Sequence, residues 1–258
     1  MDRTSSSAKV FGIDRERLRS MFGWLTPGQS LISHQPLPGN ARFTAEEFSA
    51  LAMLTAPYCD QCAIPFDPIE ENGLVCGACL ADPPPWNKAR SALLYDDTSS
   101  QLILSLKRRG QRFGLKVFSR FIADAAGDLI DSADLIIPVP IHYHRLTARG
   151  FNQAGWLASA IRAETGIPYD EFCLKRTRAT PSQGRMTARQ RQRNVSGAFS
   201  LTERGRDRIY GKRIILLDDV YTTGATLRAC ARTLQRAKPA NLDVVTFARV
   251  VAPANSPI

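Results

Sequence analysis

Asp218 and Asp219 stand between an apolar run and a run of small residues, in a stretch that reads R-I-I-L-L-D-D-V-Y-T-T-G-A-T-L-R from Arg213 to Arg228. Ile214, Ile215, Leu216 and Leu217 have no polar break and include two β-branched residues, which suits a short strand buried on both faces. Thr222, Thr223, Gly224, Ala225 and Thr226 are small and rich in hydroxyls, and Leu227, Ala231 and Leu234 recur behind them at helical spacing. The order is strand, acidic pair, loop, helix. Open α/β sheets bind ligands beyond the carboxyl ends of their strands. Small residues let backbone N–H groups approach a phosphate, and a helix N-terminus favours its charge. A carboxylate pair repels a phosphate but accepts hydrogen bonds from a sugar diol. Together these residues describe a site for a ribose 5-phosphate. No G-x-x-x-x-G-K-[ST] occurs, so this is not a Walker A loop. The bland alternative is the acidic strand end and threonine cap of any α/β protein.

A second set of chemically capable residues is Cys59-x-x-Cys62, thirteen residues, then Cys76-x-x-Cys79. Two such knuckles joined by a short hairpin can set four thiolates around Zn²⁺. Asn72-Gly73 supplies a turn, and Gly77 permits a tight second knuckle. The gap is slightly shorter than the usual spacing of paired zinc knuckles. Disulfides and an iron–sulfur cluster are the alternatives. Four protein thiolates leave no open position, so the metal would be structural. Cys230 lies in the helix expected after Gly224, where a free cysteine packs as a small hydrophobe.

Charge is the third signal. The net charge of the 258 residues is +10, and Lys175 to Arg213 holds 12 Lys/Arg against Glu203 and Asp207. Elsewhere basic and acidic residues balance, so this block carries the whole excess and should attract phosphates of a small substrate or of nucleic acid. His142 and His144 have no third ligand nearby in sequence and read as solvated loop residues.

These residues must be positioned by a core, and 44% hydrophobic residues suffice for one. No long apolar run suggests a membrane span, and Met1 to Val10 lacks a signal-peptide apolar region, so a cytoplasmic protein is expected. Residues 1–50 read as a loosely ordered extension, with a helix candidate at Asp14 to Trp24 and another from Ala45 to Thr55 capped by Thr44. Residues 51–85 hold the cysteine knuckles, and Asp82-Pro83-Pro84-Pro85 reads as a stiff boundary. Residues 86–258 alternate strand and helix. Strands are expected at Arg90 to Tyr95, Asp134 to Val139, Phe172 to Arg176, Ala198 to Leu201, Ile214 to Leu217 and Leu242 to Ala248. Helices are expected at Ser99 to Lys107, with Arg108, Arg109 and Gly110 closing it, at Leu115 to Ala126, and from Phe151-Asn152-Gln153 onward. Ile141 to Gly150 reads as a basic loop, and Thr177 to Asn194 as a mobile loop with helix from Thr187 to Arg193. Alternating elements imply a parallel, doubly wound sheet.

The Asp218-Asp219 run resembles the phosphoribosyl pyrophosphate (PRPP) motif of type I phosphoribosyltransferases, with Tyr221 where an aliphatic residue is usual. From Pro57 to Val251 the chain resembles the ComF family of competence proteins, which includes the GntX-type proteins. That likeness rests on the cysteine knuckles, Leu106-Lys107 with Gly110, Pro138-Val139-Pro140, Arg149-Gly150-Phe151-Asn152-Gln153, Thr180 with Gln183, Arg193-Asn194 with Gly197-Ala198-Phe199, and the acidic motif. Many relatives carry two ribbons, whereas residues 1–58 here contain no cysteine. The resemblance implies a type I phosphoribosyltransferase-like parallel sheet flanked by helices, with a small N-terminal zinc ribbon. It implies Mg²⁺·PRPP as ligand. Asp218 and Asp219 would hold the ribose hydroxyls in catalysis, Val220 and Thr222 to Thr226 the 5-phosphate. Lys107, Arg145 and the segment around Arg176 and Arg185 would neutralise pyrophosphate. It also implies a role in DNA uptake during natural transformation, beside a helicase. Two readings follow: a transferase passing phosphoribosyl to an unnamed acceptor, or a non-catalytic adaptor that binds single-stranded DNA or the helicase.

Overall fold

The structure is a computed structural model that describes residues 28–67, 73–107, 114–178 and 188–251. The Asp14 to Trp24 helix candidate, Asn72, Arg108 to Gly110, Thr180, Gln183 and Arg185 lie outside these residues, and at Lys107, Arg145, Arg149, Arg189 and Arg191 only the backbone is described. Two compact units divide the chain, Met1–Ala50 and Leu51–Ile258.

In the first unit, β1 (Gly28–Gln29) pairs antiparallel with β2 (Pro36–Leu37) ahead of α1 (Ala45–Ser49). The capping box expected at α1 is present: the Glu47 N–H donates to Thr44 Oγ1 at 3.1 Å, and the Thr44 N–H donates to Glu47 at 2.9 Å. The same carboxylate accepts the Ser30 hydroxyl at 2.7 Å. The helix ends at Ser49 instead of running to Thr55, because the chain beyond it becomes extended. In the second unit, the Leu54 N–H donates to Ala92 O and the Leu94 N–H to Ala52 O, a pairing no helix permits.

The second unit follows the order α2 (Gly77–Ala81), β3 (Ala89–Leu94), α3 (Asp97–Lys107), α4 (Leu115–Ala125), α5 (Gly127–Ile130), β4 (Leu135–Pro138), α6 (Tyr143–Arg149) and α7 (Gln153–Thr165). It continues with β5 (Leu174–Arg176), α8 (Ala188–Val195), β6 (Phe199–Leu201), α9 (Glu203–Ile209), β7 (Arg213–Tyr221), α10 (Ala225–Gln235) and β8 (Asn241–Arg249). Four strands form a parallel sheet in the order β3-β8-β7-β4, and β5 pairs antiparallel with β6. This is the helix-flanked parallel sheet that the alternating pattern implied. The run Ile214 to Leu217 is buried at its centre, between Leu135–Pro138 of β4 and Leu242–Val245 of β8.

Helices cover the sheet through apolar stripes. Leu115, Phe118, Phe121 and Ile122 of α4 are buried, and Phe118 meets Phe247 of β8 edge-on at 4.8 Å. Each such fully buried side chain contributes about 1.5–3 kcal/mol. Leu227, Cys230, Ala231 and Leu234 of α10 share a buried cluster with Ile214 and Leu216, and that cluster includes Cys59, Cys62 and Cys79.

Three further features differ from the sequence reading. Ile141 to Gly150 is not all loop but contains α6, whose first turn is capped by His142 Nδ1 accepting the His144 N–H at 3.2 Å and whose end is Gly150 at φ +83. The short polar helix α9 has no apolar stripe to announce it and is fixed by the Thr202 cap. Strand β7 runs on through Asp218, Asp219, Val220 and Tyr221, because β8 supplies partners as far as Tyr221↔Arg249.

Candidate functional site

The length of β7 decides what the site looks like. Strand β4 ends at Pro138, which pairs with Leu217, and just past it the Val139 N–H donates to Leu217 O at 2.8 Å. Beyond Leu217, β7 is paired on its β8 side alone among the described strands, and Asp218, Asp219 and Val220 are half-buried at that open end. Successive strand residues face opposite sides. Asp218 therefore shares the face of Leu216, towards α10, and Asp219 that of Leu217. The Asp219 N–H donates to Asp218 Oδ1 at 2.9 Å.

The chain then turns through Thr222, Thr223 and Gly224 and enters α10 at Ala225, so Ala225 and Thr226 form the first helical turn instead of the end of a loop. Gly224 is the N-terminal cap and has φ +75, a left-handed conformation open to glycine. The first-turn amides of an α-helix lack intrahelical acceptors, and α10 opens at Ala225, separated by three residues from the end of β7 at Tyr221 behind the acidic pair. The buried ring of Tyr221 lies under Gly224, where a Cβ would come within 2.9 Å of it. Burial pushes the Tyr221 phenol up, so it stays neutral.

On the facing side, α7 begins at Gln153. Asn152 Nδ2 donates to Val139 O at 3.1 Å, while Asn152 Oδ1 and Gln153 Nε2 are buried without a hydrogen-bond partner among the described residues. Phe151 stacks on Trp156 at 3.8 Å. Lys107 is the last residue of α3 and Arg145 lies within α6.

The basic block is partly committed to structure. Arg178 donates to the Asn194 and Ser196 carbonyls at 3.0 and 2.9 Å, closing the end of α8. Arg204 and Arg208 pair with the buried Asp170 carboxylate at 3.0 and 3.4 Å. Arg176 lies over the Phe199 ring at 5.3 Å. Phe172 and Tyr210, at the two ends of α9, are 71% and 70% exposed, and the Thr202 hydroxyl ties the Phe172 carbonyl to the start of that helix.

Cys59, Cys62, Cys76 and Cys79 place their sulfurs within 4.8 Å of one another, and all six cysteines are unbridged. The Cys62 and Cys76 sulfurs are 3.7 Å apart. Thiolates bound to zinc at 2.3 Å in a tetrahedron are about 3.8 Å apart. The donor set and its spacing fit a four-thiolate metal. Burial pushes the Cys62 thiol up to about 11, and the neighbouring cysteine sulfurs add to it. Four crowded thiolates call for a cation, whose charge reverses that cost.

Three residues outside the sequence reading tie this cluster to the sheet. Trp86 Nε1 donates to Gln61 O at 2.7 Å, Arg90 pairs with Asp60 at 3.0 Å, and Arg249 Nε donates to Cys62 O at 2.7 Å. The available signal was a lone arginine closing the apolar run Val244 to Ala248.

A family profile described as "Phosphoribosyl transferase domain" matches residues 146–256. The chain is 30% identical over 232 residues to the DNA utilization protein YhgH of Escherichia coli O157:H7, covering 87% of this chain and 98% of that one. It is 30% identical over 198 residues to competence protein F of Haemophilus influenzae, covering 75% and 85%. Among solved structures, hypoxanthine phosphoribosyltransferase from Trypanosoma cruzi is similar at 15% identity and TM-score 0.35, covering 56% of this chain and 72% of that one. Likeness over nearly the full length of the first relative takes in the cysteine knuckles as well as the sheet, and the chain therefore belongs to the ComF/GntX family of competence proteins.

Proposed function

We propose that this chain binds Mg²⁺·PRPP at the open end of β7 and acts in DNA uptake or utilization. The observation that carries the site is the overhang of β7 past β4, which leaves Asp218 and Asp219 half-buried at the open end of the strand, ahead of the turn into α10. In this reading the two carboxylates accept hydrogen bonds from the ribose 2- and 3-hydroxyls. Val220 and Thr222 to Thr226 hold the 5-phosphate with backbone N–H groups and threonine hydroxyls. Lys107, Arg145 and the segment around Arg176 and Arg185 would supply the charge that neutralises the diphosphate, together with bound Mg²⁺. Catalysis would consist of positioning and charge stabilisation as pyrophosphate leaves the anomeric carbon. Zn²⁺ on Cys59, Cys62, Cys76 and Cys79 is structural.

The biological role is supported by the names of the relatives, "DNA utilization protein" and "Competence protein F". No helix among the described residues is long and apolar enough to cross a membrane. A reducing cytoplasmic location suits four metal-binding thiolates. A helicase partner follows from the family alone.

Thermal unfolding followed with and without ligand tests the site. Millimolar Mg²⁺·PRPP should raise Tm, since a ligand that binds only the folded state stabilises it by mass action. An unchanged Tm, with ribose 5-phosphate equally without effect, contradicts the site.

A second reading, the single-stranded-DNA adaptor, has its own observation. The exposed Phe172 and Tyr210 bracket α9, which carries Arg204, Arg206 and Arg208. Bases stack on aromatic rings while cations follow the backbone. The two readings are compatible, because α9 precedes β7 and lies away in sequence from the loop after it.

A further inference from the structure

Arg249 is buried at the end of β8, and its acceptors are carbonyl oxygens. Its Nε donates to Cys62 O at 2.7 Å. Its Nη1 donates to Tyr221 O at 3.2 Å and to Thr222 O at 2.9 Å, and it also contacts Val250 O. Its guanidinium lies 4.1 Å from the centre of the Tyr221 ring. No carboxylate pairs with it among the described residues. A buried cation held by carbonyls alone is costly, and it persists only where its hydrogen bonds are needed. The Cys62 carbonyl belongs to the first cysteine knuckle. The Tyr221 and Thr222 carbonyls open the loop that leads to Gly224. One planar fork therefore fixes both.

A second bridge runs alongside. Trp86 Nε1 donates to Gln61 O at 2.7 Å, and the Trp86 ring meets the Tyr221 ring edge-on at 6.0 Å. Tyr221 in turn supports Gly224. The Ala89 N–H donates to Asp60 O at 2.7 Å, so the consecutive carbonyls of Asp60, Gln61 and Cys62 are all held by residues of the sheet and its approach. From the other side, Arg228 of α10 donates to Asp82 O at 2.8 Å and Pro83 O at 3.2 Å, the chain leaving the second knuckle. The cysteine cluster and the start of α10 are two ends of one hydrogen-bonded frame.

We propose that Arg249 is a positioning residue that makes the conformation of the Thr222–Thr226 segment depend on metal in the four-cysteine cluster. The metal fixes the Cys59–Cys62 knuckle. The knuckle fixes the Arg249 fork, and the fork sets where Tyr221 and Thr222 end the strand. A lysine keeps the charge but lacks the fork, and cannot hold carbonyls on two segments in the same geometry. The ligand consequence rests on the proposed PRPP site, whereas the coupling itself does not.

Hydrogen–deuterium exchange of the full chain, without PRPP, tests the coupling first. Three samples are compared: zinc-loaded wild type, chelator-treated wild type, and zinc-loaded Arg249→Lys. Amides of 222–227 should exchange at least about tenfold faster in the second and third samples, while those of β4 and α7 keep their protection. Arg249→Lys should retain one equivalent of zinc, which separates a lost link from a lost metal. Calorimetry with Mg²⁺·PRPP should then show about tenfold weaker binding to Arg249→Lys. Unchanged exchange at 222–227 in Arg249→Lys overturns the proposal. Faster loop exchange with undiminished PRPP affinity supports the coupling and overturns its consequence for the ligand. If zinc-loaded wild type binds no PRPP, the proposed ligand fails, and the exchange result alone decides the coupling.

Discussion

Gly224 combines a left-handed φ of +75 with a close approach to the Tyr221 ring. An alanine there costs about 1–2 kcal/mol for the backbone alone, and its methyl presses on the ring or lifts the start of α10. Gly224→Ala should lower Tm and weaken Mg²⁺·PRPP binding, whereas a variant that matches wild type in both would detach the loop from the ligand. Reactive chemistry distinguishes the cysteines. Burial pushes the Cys173 thiol up to about 12 and the Cys230 thiol well above its ordinary value, with the charge of Asp170 adding to the first and that of Asp218 to the second. Both should resist iodoacetamide at pH 8 in the native protein and react after unfolding, as mass spectrometry would show. Labelling of Cys230 in the folded state would place it outside the core. At this scale the sequence showed the acidic pair and the four cysteines, because their chemistry is set by type and local spacing. Arg249 could not be found that way, because its meaning lies in a register with Tyr221 and in a contact with Cys62, 187 residues away.

Among the elements, β7 carries the heaviest demand. Ile215 is buried between Ile136 of β4 and Asp243 of β8. The Asp243 carboxyl, itself raised by burial, accepts the Lys88 N–H at 2.9 Å. Ile215→Asp would bury a second carboxylate beside it, an effect of several kcal/mol. The variant should be lost from the soluble fraction, and a stable, soluble Ile215→Asp would contradict the central placement of β7. The basic elements answer to salt. If α8 and its neighbours track single-stranded DNA, log affinity should fall with log salt by roughly 0.7 per phosphate neutralised. Replacing Arg185, Arg189 and Arg191 by Ala should flatten that slope in an anisotropy titration, and an unchanged slope would move the contact elsewhere. The sheet was legible because buried parallel strands read as unbroken apolar runs. The far half of β7 was not, because only the length of β8 shows that Asp218 to Tyr221 still have a partner. Helix α9 was missed because E-R-G-R-D-R-I has no apolar stripe, although Thr202 was there as its cap.

For the whole molecule, Cys59, Cys62, Cys79 and Trp86 sit in the same buried cluster as Leu216 and Tyr221. The proline run Pro83-Pro84-Pro85 reads as a stiff boundary by composition, yet the Asp82 and Pro83 carbonyls are bound by Arg228 and the Pro85 carbonyl by Gln235 of α10. Composition shows stiffness and says nothing of what a stiff segment leans on. Zinc, by metal analysis, should be present at about one equivalent and be lost on Cys76→Ser, with a fall in Tm that involves the sheet as well as the cluster. Metal-free protein of unchanged Tm would deny the cluster that role. The central claim is that Asp218 and Asp219 hold the ribose of PRPP. Calorimetry with Mg²⁺·PRPP, on wild type and on the double variant Asp218→Ala/Asp219→Ala, tests it most directly. A hydrogen bond to a charged acceptor is worth about 1.5–3 kcal/mol, so the double variant should bind at least about tenfold more weakly. Equal binding by the two proteins, or no heat from the wild type at millimolar PRPP, would contradict the account.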